Sequence, residues 1–186
     1  MEVWETIKAD PLVGARMLIA EYGDRLYAVA LILEQESHSA EDLVSRTVRQ
    51  AVVKIDRFDS SYSFWNWLYT IMLNFYRTDQ RKQRAEVADE PDFVERKAEC
   101  LAVEEESEPD FPRLDAELLR EAVARLPPSL RTVVALRYFE DKTLAEMITI
   151  MGLPPGTVKS QLHRARLRLK EVLSRLFKEG ERANEL

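Results

Sequence analysis

Residues 143–174 read TLAEMITIMGLPPGTVKSQLHRARLRLKEVLS. Leu144, Met147, Ile148 and Met151 recur at helical spacing, which predicts a short amphipathic helix. The break Gly152-Leu153-Pro154-Pro155-Gly156 ends that helix and starts another. Beyond it, Lys159, His163, Arg164, Arg166, Arg168 and Lys170 place six basic or imidazole side chains within the twelve positions 159–170. Val158, Leu162, Ala165, Leu169, Val172 and Leu176 step by three or four and form a narrow apolar stripe. A helix seated by that stripe presents Ser160, His163, Arg164 and Lys170 on the far side, flanked by Lys159, Arg166 and Arg168. Helix, short turn and basic second helix form the unit that lays a helix in the major groove. There Arg or Lys donates to guanine O6 and N7. Gly156-Thr157 offers N–H groups and a hydroxyl to a phosphate, and Thr157 serves equally well as a plain helix cap. A solvated face is the usual fate of a charge run. The tight corner in front of this one favours DNA. Leu167 falls on the outward face and does not fit the pattern.

The 186 residues suffice for one domain or two small ones. Net charge is −6, which argues against a simple DNA coat, and the distribution matters more. Residues 1–85 carry 11 basic and 12 acidic groups, residues 86–120 carry 4 and 13, and residues 121–186 carry 12 and 8. The acid is concentrated in the middle, and the two ends can meet an anion. No stretch approaches the roughly 20 apolar residues of a membrane span. The start MEVWETIKAD lacks a secretory pattern. Cys100 is the one cysteine, which excludes an internal disulfide and a cysteine-rich zinc site. A cytoplasmic location is the expectation.

The fold class read from these patterns is all-α: two small helical domains joined by a flexible acidic linker. The first domain spans about 10–85. Leu18, Tyr22, Leu26, Val29, Ala30 and Leu33 mark one helix. Ser39-Ala40-Glu41-Asp42 resembles the start of a second, which carries Val44, Val48, Ala51, Val52 and Ile55. After turn-forming residues around 56–63, a third carries Phe64, Trp67, Leu68, Ile71 and Phe75 on one face. Residues 86–112 contain three prolines and Glu104-Glu105-Glu106, a linker composition with room for a transient helix around Val94 to Val103. The second domain spans about 113–178. Leu114, Leu118, Val123 and Leu126 predict a helix stopping at Pro127-Pro128. Leu130, Val133, Val134 and Leu136 predict another ending near Tyr138-Phe139.

The Phe64 helix carries a second aromatic stripe, Trp65, Tyr69, Met72 and Tyr76, followed by Asn74, Arg77, Arg81 and Arg84. Aromatic rings beside arginines stack unpaired bases and hold a single-stranded backbone. Two buried faces of one helix explain the same rings, a plain solvated face explains Arg77 and Arg81, and for Trp67 burial is the favoured reading. The loop Asp59-Ser60-Ser61-Tyr62-Ser63 is small and polar. Closing over an extruded base and capping the next helix both fit it. Glu41, Asp42, Arg46, Arg49 and Gln50 lie opposite the apolar stripe of their helix, a mixed-charge face suited to docking on a helical protein or to plain solvation. His38 and His163 are the only histidines, and neither sits in a nucleophile or metal motif. With no glycine-rich phosphate loop, we expect no catalysis, no cofactor, no metal and no small-molecule substrate.

These pieces resemble the extracytoplasmic-function (ECF) sigma factors of bacterial RNA polymerase. YGDRLYAVAL, AEDLVSRTV, DRFD and SFWNWLYTIMLN are similar to the family's region two. LPPSLRTVVALRYFED and TLAEMITIMGLPPGTVKSQLHRARLRL are similar to region four. The resemblance covers about 140 residues, and GTVKS-x-LHRAR is its most specific string. It implies that the helix from Glu41 to Arg57 docks on the polymerase clamp, with Glu41, Asp42, Arg46, Arg49 and Gln50 as contacts. It implies that Ser60, Ser61, Tyr62, Ser63, Trp65, Asn74, Arg77 and Arg81 recognise and melt the minus-ten promoter element. It implies that Lys159, Ser160, His163 and Arg164 read the minus-thirty-five element, with Thr157 and Arg166 near phosphates. It further implies core polymerase, promoter DNA and an anti-sigma factor as partners, with the acidic linker threading toward the RNA exit path. Ser45-Arg46 stands where the family usually shows Gln-Glu, Trp65 occupies a position often polar or basic, and Gln161 stands where Arg is usual. That last change implies a weaker phosphate contact or a shifted base preference. A stand-alone helix-turn-helix regulator using the same C-terminal unit is the alternative, and a protein-binding helical adaptor is a more distant one.

Overall fold

The computed structural model describes residues 2–86 and 116–183. The described residues form eight α-helices, one 3-10 turn and one π turn, with no strand among them. They fall into two compact units divided near residue 90. The stretch 87–112 and the helix expected around Val94 lie outside the described residues.

The first unit opens on a helix that sequence reading did not anticipate, α1 (Val3–Ala9). Glu5 Oε2 accepts the Glu2 N–H at 2.9 Å, and Val3, Thr6 and Ile7 are buried. Asp10 makes the corner to α2 (Pro11–Glu34). Its N–H donates to Thr6 O at 2.8 Å, and its Oδ1 accepts from the amides of Leu12 and Val13 at 3.0 and 3.1 Å. This is an N-cap followed by proline at the first helical position. Gly14 is required here: a Cβ would lie 2.4 Å from Ile7 Cα, so only glycine lets α1 pack on α2.

Helix α2 buries Leu18, Leu26, Val29, Ala30 and Leu33, and turns off at Gln35 with φ 64°. Helix α3 (Ser37–Val53) starts earlier than the Ser39–Asp42 pattern suggested. The Glu36 carboxylate accepts from the amides of Ser39 and His38 at 2.6 and 2.8 Å. Those bonds hold its pKa below the ordinary glutamate value. Ala40, Leu43, Thr47, Val48 and Ala51 face the core, and the 3-10 turn Ile55–Arg57 leads to buried Phe58.

Helix α4 (Phe64–Glu86) is buried on two sides. Phe64, Leu68 and Ile71 form one side, and Trp65, Tyr69, Met72 and Tyr76 form the other. The Trp65 ring is 5% exposed, stacked on Tyr22 at 6.1 Å, edge-on to Tyr69, and covered by the Arg25 guanidinium at 4.1 Å. Burial, then Glu21, pushes the Tyr22 phenol up to about 12. The expectation that Trp65 stacks on a base is therefore corrected: it is a core residue. The plain reading of the second aromatic stripe holds, because each ring supplies large apolar area to the contacts of α4 with α2 and α3.

Arg46 ties α3 to α4. Its Nη2 donates to Asp79 Oδ2 at 2.6 Å, Nε lies 2.8 Å from Asp42 Oδ2, and the guanidinium sits 5.2 Å over the Phe75 ring. The Nε–H is not aligned on Asp42, so that contact is an ion pair without a hydrogen bond.

The second unit contains α5 (Ala116–Ala124), α6 (Pro128–Val134), the π turn Ala135–Phe139, α7 (Leu144–Met151) and α8 (Pro155–Ala183). Helices α5, α6 and α7 all pack on α8. Arg131 closes the α5–α6 turn by donating from Nε to Leu126 O at 2.8 Å and from Nη2 to Ala124 O at 3.0 Å, so a cation caps the carbonyl end of α5.

Trp4, Trp65 and Trp67 are the only tryptophans, and all lie in the first unit, so tryptophan fluorescence reports that unit alone. Arg46→Ala is expected to lower its stability to urea by about 1–2 kcal/mol, the cost of losing a charge-assisted bond and leaving Asp79 unpaired. An unchanged unfolding midpoint would show that the Arg46–Asp79 bond does not stabilise the unit.

Candidate nucleic-acid interface

Helix α7 begins with a capping box. Thr143 Oγ1 accepts the Glu146 N–H at 3.3 Å, and Glu146 Oε2 accepts the Thr143 N–H at 2.9 Å. It ends at Gly152, which caps it in the left-handed region at φ 61° and would strain any L side chain. The Pro154 carbonyl then accepts the amides of Thr157 and Val158 at 2.9 and 3.1 Å, starting α8. Thr157 is half-buried. Its amide is therefore committed within the turn, which narrows the expected phosphate seat to Gly156 and the Thr157 hydroxyl.

Val158, Ala165, Leu169, Val172 and Leu176 are buried, and Leu162 is half-buried. Lys159, Arg164 and Lys170 are exposed, with Ser160 and His163 half-buried beside them. Ser160 Oγ donates to Thr157 O at 3.0 Å, so toward a ligand it offers an acceptor. Arg164 Nε donates to Ser160 O at 3.3 Å, which steers its fork along the outer face. Arg166 is half-buried, and its Nε donates to Tyr138 Oη at 3.2 Å. The π turn supplies Tyr138, a partner that the sequence pattern did not single out. Arg168 pairs with Glu171, which also holds Arg175 at 2.6 Å. The basic row thus concentrates toward the start of the helix. Leu167 is 58% exposed beyond it, on the outward side.

Gln161 needs a correction. It is 7% exposed, on the buried side of α8, and its Oε1 has no hydrogen-bond partner among the described residues. A side chain there contacts the core and does not replace an arginine on the phosphate side.

In the first unit, Asp59, Ser60, Ser61, Tyr62 and Ser63 form an exposed loop, with Tyr62 65% exposed. Asp59 Oδ1 accepts the Ser61 N–H at 2.9 Å, and Asp59 O accepts the Tyr62 N–H at 3.1 Å. The Ser61 bonds hold the Asp59 pKa below its ordinary value. Ser63 starts α4: its Oγ accepts the Asn66 N–H at 3.4 Å, and its carbonyl accepts the Trp67 N–H at 3.1 Å. The loop is thus shaped by its own backbone, with the Tyr62 ring in solvent.

Helical phase brings Asn66, Trp67, Thr70, Asn74, Arg77, Thr78 and Arg81 to the remaining strip of α4. Asn74, Thr78 and Arg81 are exposed there, and Trp67, Thr70 and Arg77 are half-buried. Burial, then the charge of Arg81, lowers the Arg77 pKa from its ordinary value. The aromatic side chain on this strip is Trp67, whereas sequence reading favoured Trp65. Phase decides between them: Trp67 lies on one face with Asn74 and Arg81, seven residues apart each time. The signal was present, and the density of aromatic residues on all sides masked it.

On α3, Glu41, Asp42 and Arg49 are exposed, Gln50 is half-buried, and Arg46 is held by Asp79. Among the described residues, no group of three or more His, Cys, Asp or Glu side chains is placed to hold a metal. No helix among them is long and apolar enough to cross a membrane.

Comparison with known proteins matches both units in order. The family profile for Sigma-70 region 2 covers residues 18–86, and that for Sigma-70, region 4 covers residues 116–169. The chain is 30% identical over 161 residues to the ECF RNA polymerase sigma factor SigW of Bacillus subtilis (strain 168), spanning 82% of this chain and 84% of that protein. It is 33% identical over 149 residues to the ECF RNA polymerase sigma factor EcfG of Rhodopseudomonas palustris (strain TIE-1), spanning 80% and 78%. Among solved structures, it is similar to the sigma factor RpoE in complex with the anti-sigma factor NepR from Bartonella quintana. That match has a TM-score of 0.63 and 28% identity, covering 86% of this chain and 96% of that one. Two helical units in the family's order, an outward basic row on the second helix of a helix-turn-helix and relatives aligned along most of their length agree: this chain is a member of the ECF sigma factors of bacterial RNA polymerase.

Proposed function

We propose that this sigma factor reads a promoter at two separate places, one with each unit, while its α3 face holds the core enzyme. The α8 row carries this reading: Lys159, Ser160, His163 and Arg164 face outward because the opposite side of the helix is buried. Laid in the major groove of the minus-thirty-five element, Lys159 and Arg164 donate to base edges or phosphates, and His163 and Ser160 supply shorter polar contacts. Gly156 and the Thr157 hydroxyl meet a phosphate at the helix start, and Arg166, oriented by Tyr138, meets another on the flank.

In the first unit, Ser60, Ser61, Tyr62 and Ser63 receive an unpaired base of the minus-ten element. Asn74, Arg77 and Arg81 follow the strand along the open strip of α4, with Trp67 in the stacking role first expected of Trp65. Glu41, Asp42, Arg49 and Gln50 dock on the clamp of the polymerase, and Arg46 holds the angle between α3 and α4 that this face needs. The protein supplies binding and position, and the polymerase supplies the bond-forming chemistry in the cytoplasm. The working divisions are a promoter-melting unit within 10–85, a connecting stretch over 86–112 and an upstream-element unit within 113–178. An anti-sigma factor is the expected inhibitor, since a related sigma factor is found bound to one.

Arg164→Ala in holoenzyme is expected to weaken binding to the upstream promoter duplex by about 1–3 kcal/mol and to relax preference at one base position. Lys159→Ala is expected to weaken binding to all duplexes alike and to reduce the dependence of log K on log salt by about one. Unchanged affinity for both variants would remove α8 from the interface.

Asp59 predicts a pH effect. Its folded pKa is lowered, so its hold on the loop is complete above the ordinary aspartate value and is lost as pH falls through the lowered one. Asp59→Ala is expected to speed hydrogen exchange of the Ser61 amide at neutral pH, and wild type is expected to match it only in acid. Equal exchange at pH 7 would show that the Asp59 bond does not order the loop.

A further inference from the structure

The region-two match begins at residue 18, so α1 lies in front of it. Its one large ring, Trp4, packs on Phe58 with centroids 5.9 Å apart. Phe58 is the last buried residue before the 59–63 loop, and Phe64 is the first after it. The two rings meet edge to face at 5.0 Å. Trp67 closes the group from the α4 side, 5.3 Å from Phe58 and 5.7 Å from Phe64. Five polar residues therefore span two touching rings, and the place where the loop leaves the bundle depends on where Phe58 lies. Trp4 holds Phe58 from outside. Trp4 is itself held by the docking of α1, which buries Val3, Thr6 and Ile7 and brings Ile7 against Gly14, and by Lys8, whose ammonium lies 5.3 Å over its ring.

We propose that α1 is a positioning element for promoter melting: Trp4, through Phe58, sets the loop that receives the unpaired base. Trp4 touches no DNA in this account and acts through another side chain. The inference rests on the proposed role of the 59–63 loop. It has a physical reason to be separable from docking on the enzyme, because the ring and cation contacts of Trp4 and Phe58 are with each other, Lys8, Phe64 and Trp67, none of them on α3. A loop on loose anchors samples more conformations, and the binding-competent one is then populated less.

The test compares Trp4→Ala, Trp4→Phe, Gly14→Ala and Tyr62→Ala in the full chain assembled with bacterial core polymerase. Opening of a duplex promoter on which the chain initiates is read by fluorescence of 2-aminopurine placed in the minus-ten element. Core affinity is measured alongside. Trp4→Ala is expected to slow opening by about three- to tenfold with core affinity unchanged, the size of one lost aromatic pair. Trp4→Phe is expected to recover most of the rate. Gly14→Ala retains Trp4, but its Cβ meets Ile7 and pushes α1 off α2, so it is expected to slow opening to a similar extent. If Tyr62→Ala slows opening while Trp4→Ala does not, the loop acts but α1 does not place it, and the inference fails alone. If neither variant slows opening, the role of the loop fails and the inference falls with it. If Trp4→Ala weakens core binding by the same factor as opening, Trp4 is a general stability residue and the inference is overturned.

Discussion

A helix whose one side is buried has only the other to offer, and both units of this sigma factor work within that constraint. On α8 the buried row from Val158 to Leu176 decides which basic residues face out. On α4 the constraint is tighter, because two sides are buried and a single polar strip from Asn66 to Arg81 remains. Each apolar contact in these rows contributes to stability in proportion to the area removed from water. The same contacts fix which side of the helix meets a ligand. On the proposed reading, binding specificity is a by-product of how the cores close.

The aromatic residues of the first unit divide the labour by position. Trp65, under Arg25 and against Tyr22, joins α2 to α4. Phe58, Phe64 and Trp67 bring together the two ends of the exposed loop. Polar loops order poorly by themselves, and a rigid base beneath them lowers the entropy lost on binding. In the second unit the corresponding anchors are polar: the Thr143–Glu146 box, the left-handed Gly152 and the Pro154 carbonyl set the angle of α8. The charge distribution fits this division. A chain of net charge −6 has little general attraction for DNA, so the two contact surfaces proposed above would gain strength from being held together on one enzyme.

Much of this was legible before any coordinates. The apolar stripe of α8 and the break at Gly152 carried enough periodicity to give helix, turn and outward row, because the phase of a 29-residue helix is over-determined. The all-α class followed from similar periodicity elsewhere, and the division into two domains from the proline- and acid-rich composition of residues 86–112. Where patterns were short or redundant, reading failed. Helix α1 has seven residues, too few to show a period, and its evidence lay in Val3 with Ile7 and in the Asp10-Pro11 start. Along α4, apolar residues on two sides leave phase as the only guide, and Trp65, expected at the DNA, is buried. Glu36 displaced the Ser39 start of α3, since a carboxylate reaching two amides outcompetes a later cap. The bonds from Arg46 to Asp79 and from Arg166 to Tyr138 join residues 33 and 28 positions apart. Such pairs leave no local trace.

The central claim is that this chain confers start-site choice on a polymerase that lacks it. The direct measurement is transcription of sheared bacterial genomic DNA by core RNA polymerase, with and without the purified chain, followed by mapping of RNA 5′ ends. The account predicts a discrete set of new starts that share two sequence elements upstream, each blurred by changes in a different unit. Starts distributed as with core enzyme alone would contradict it.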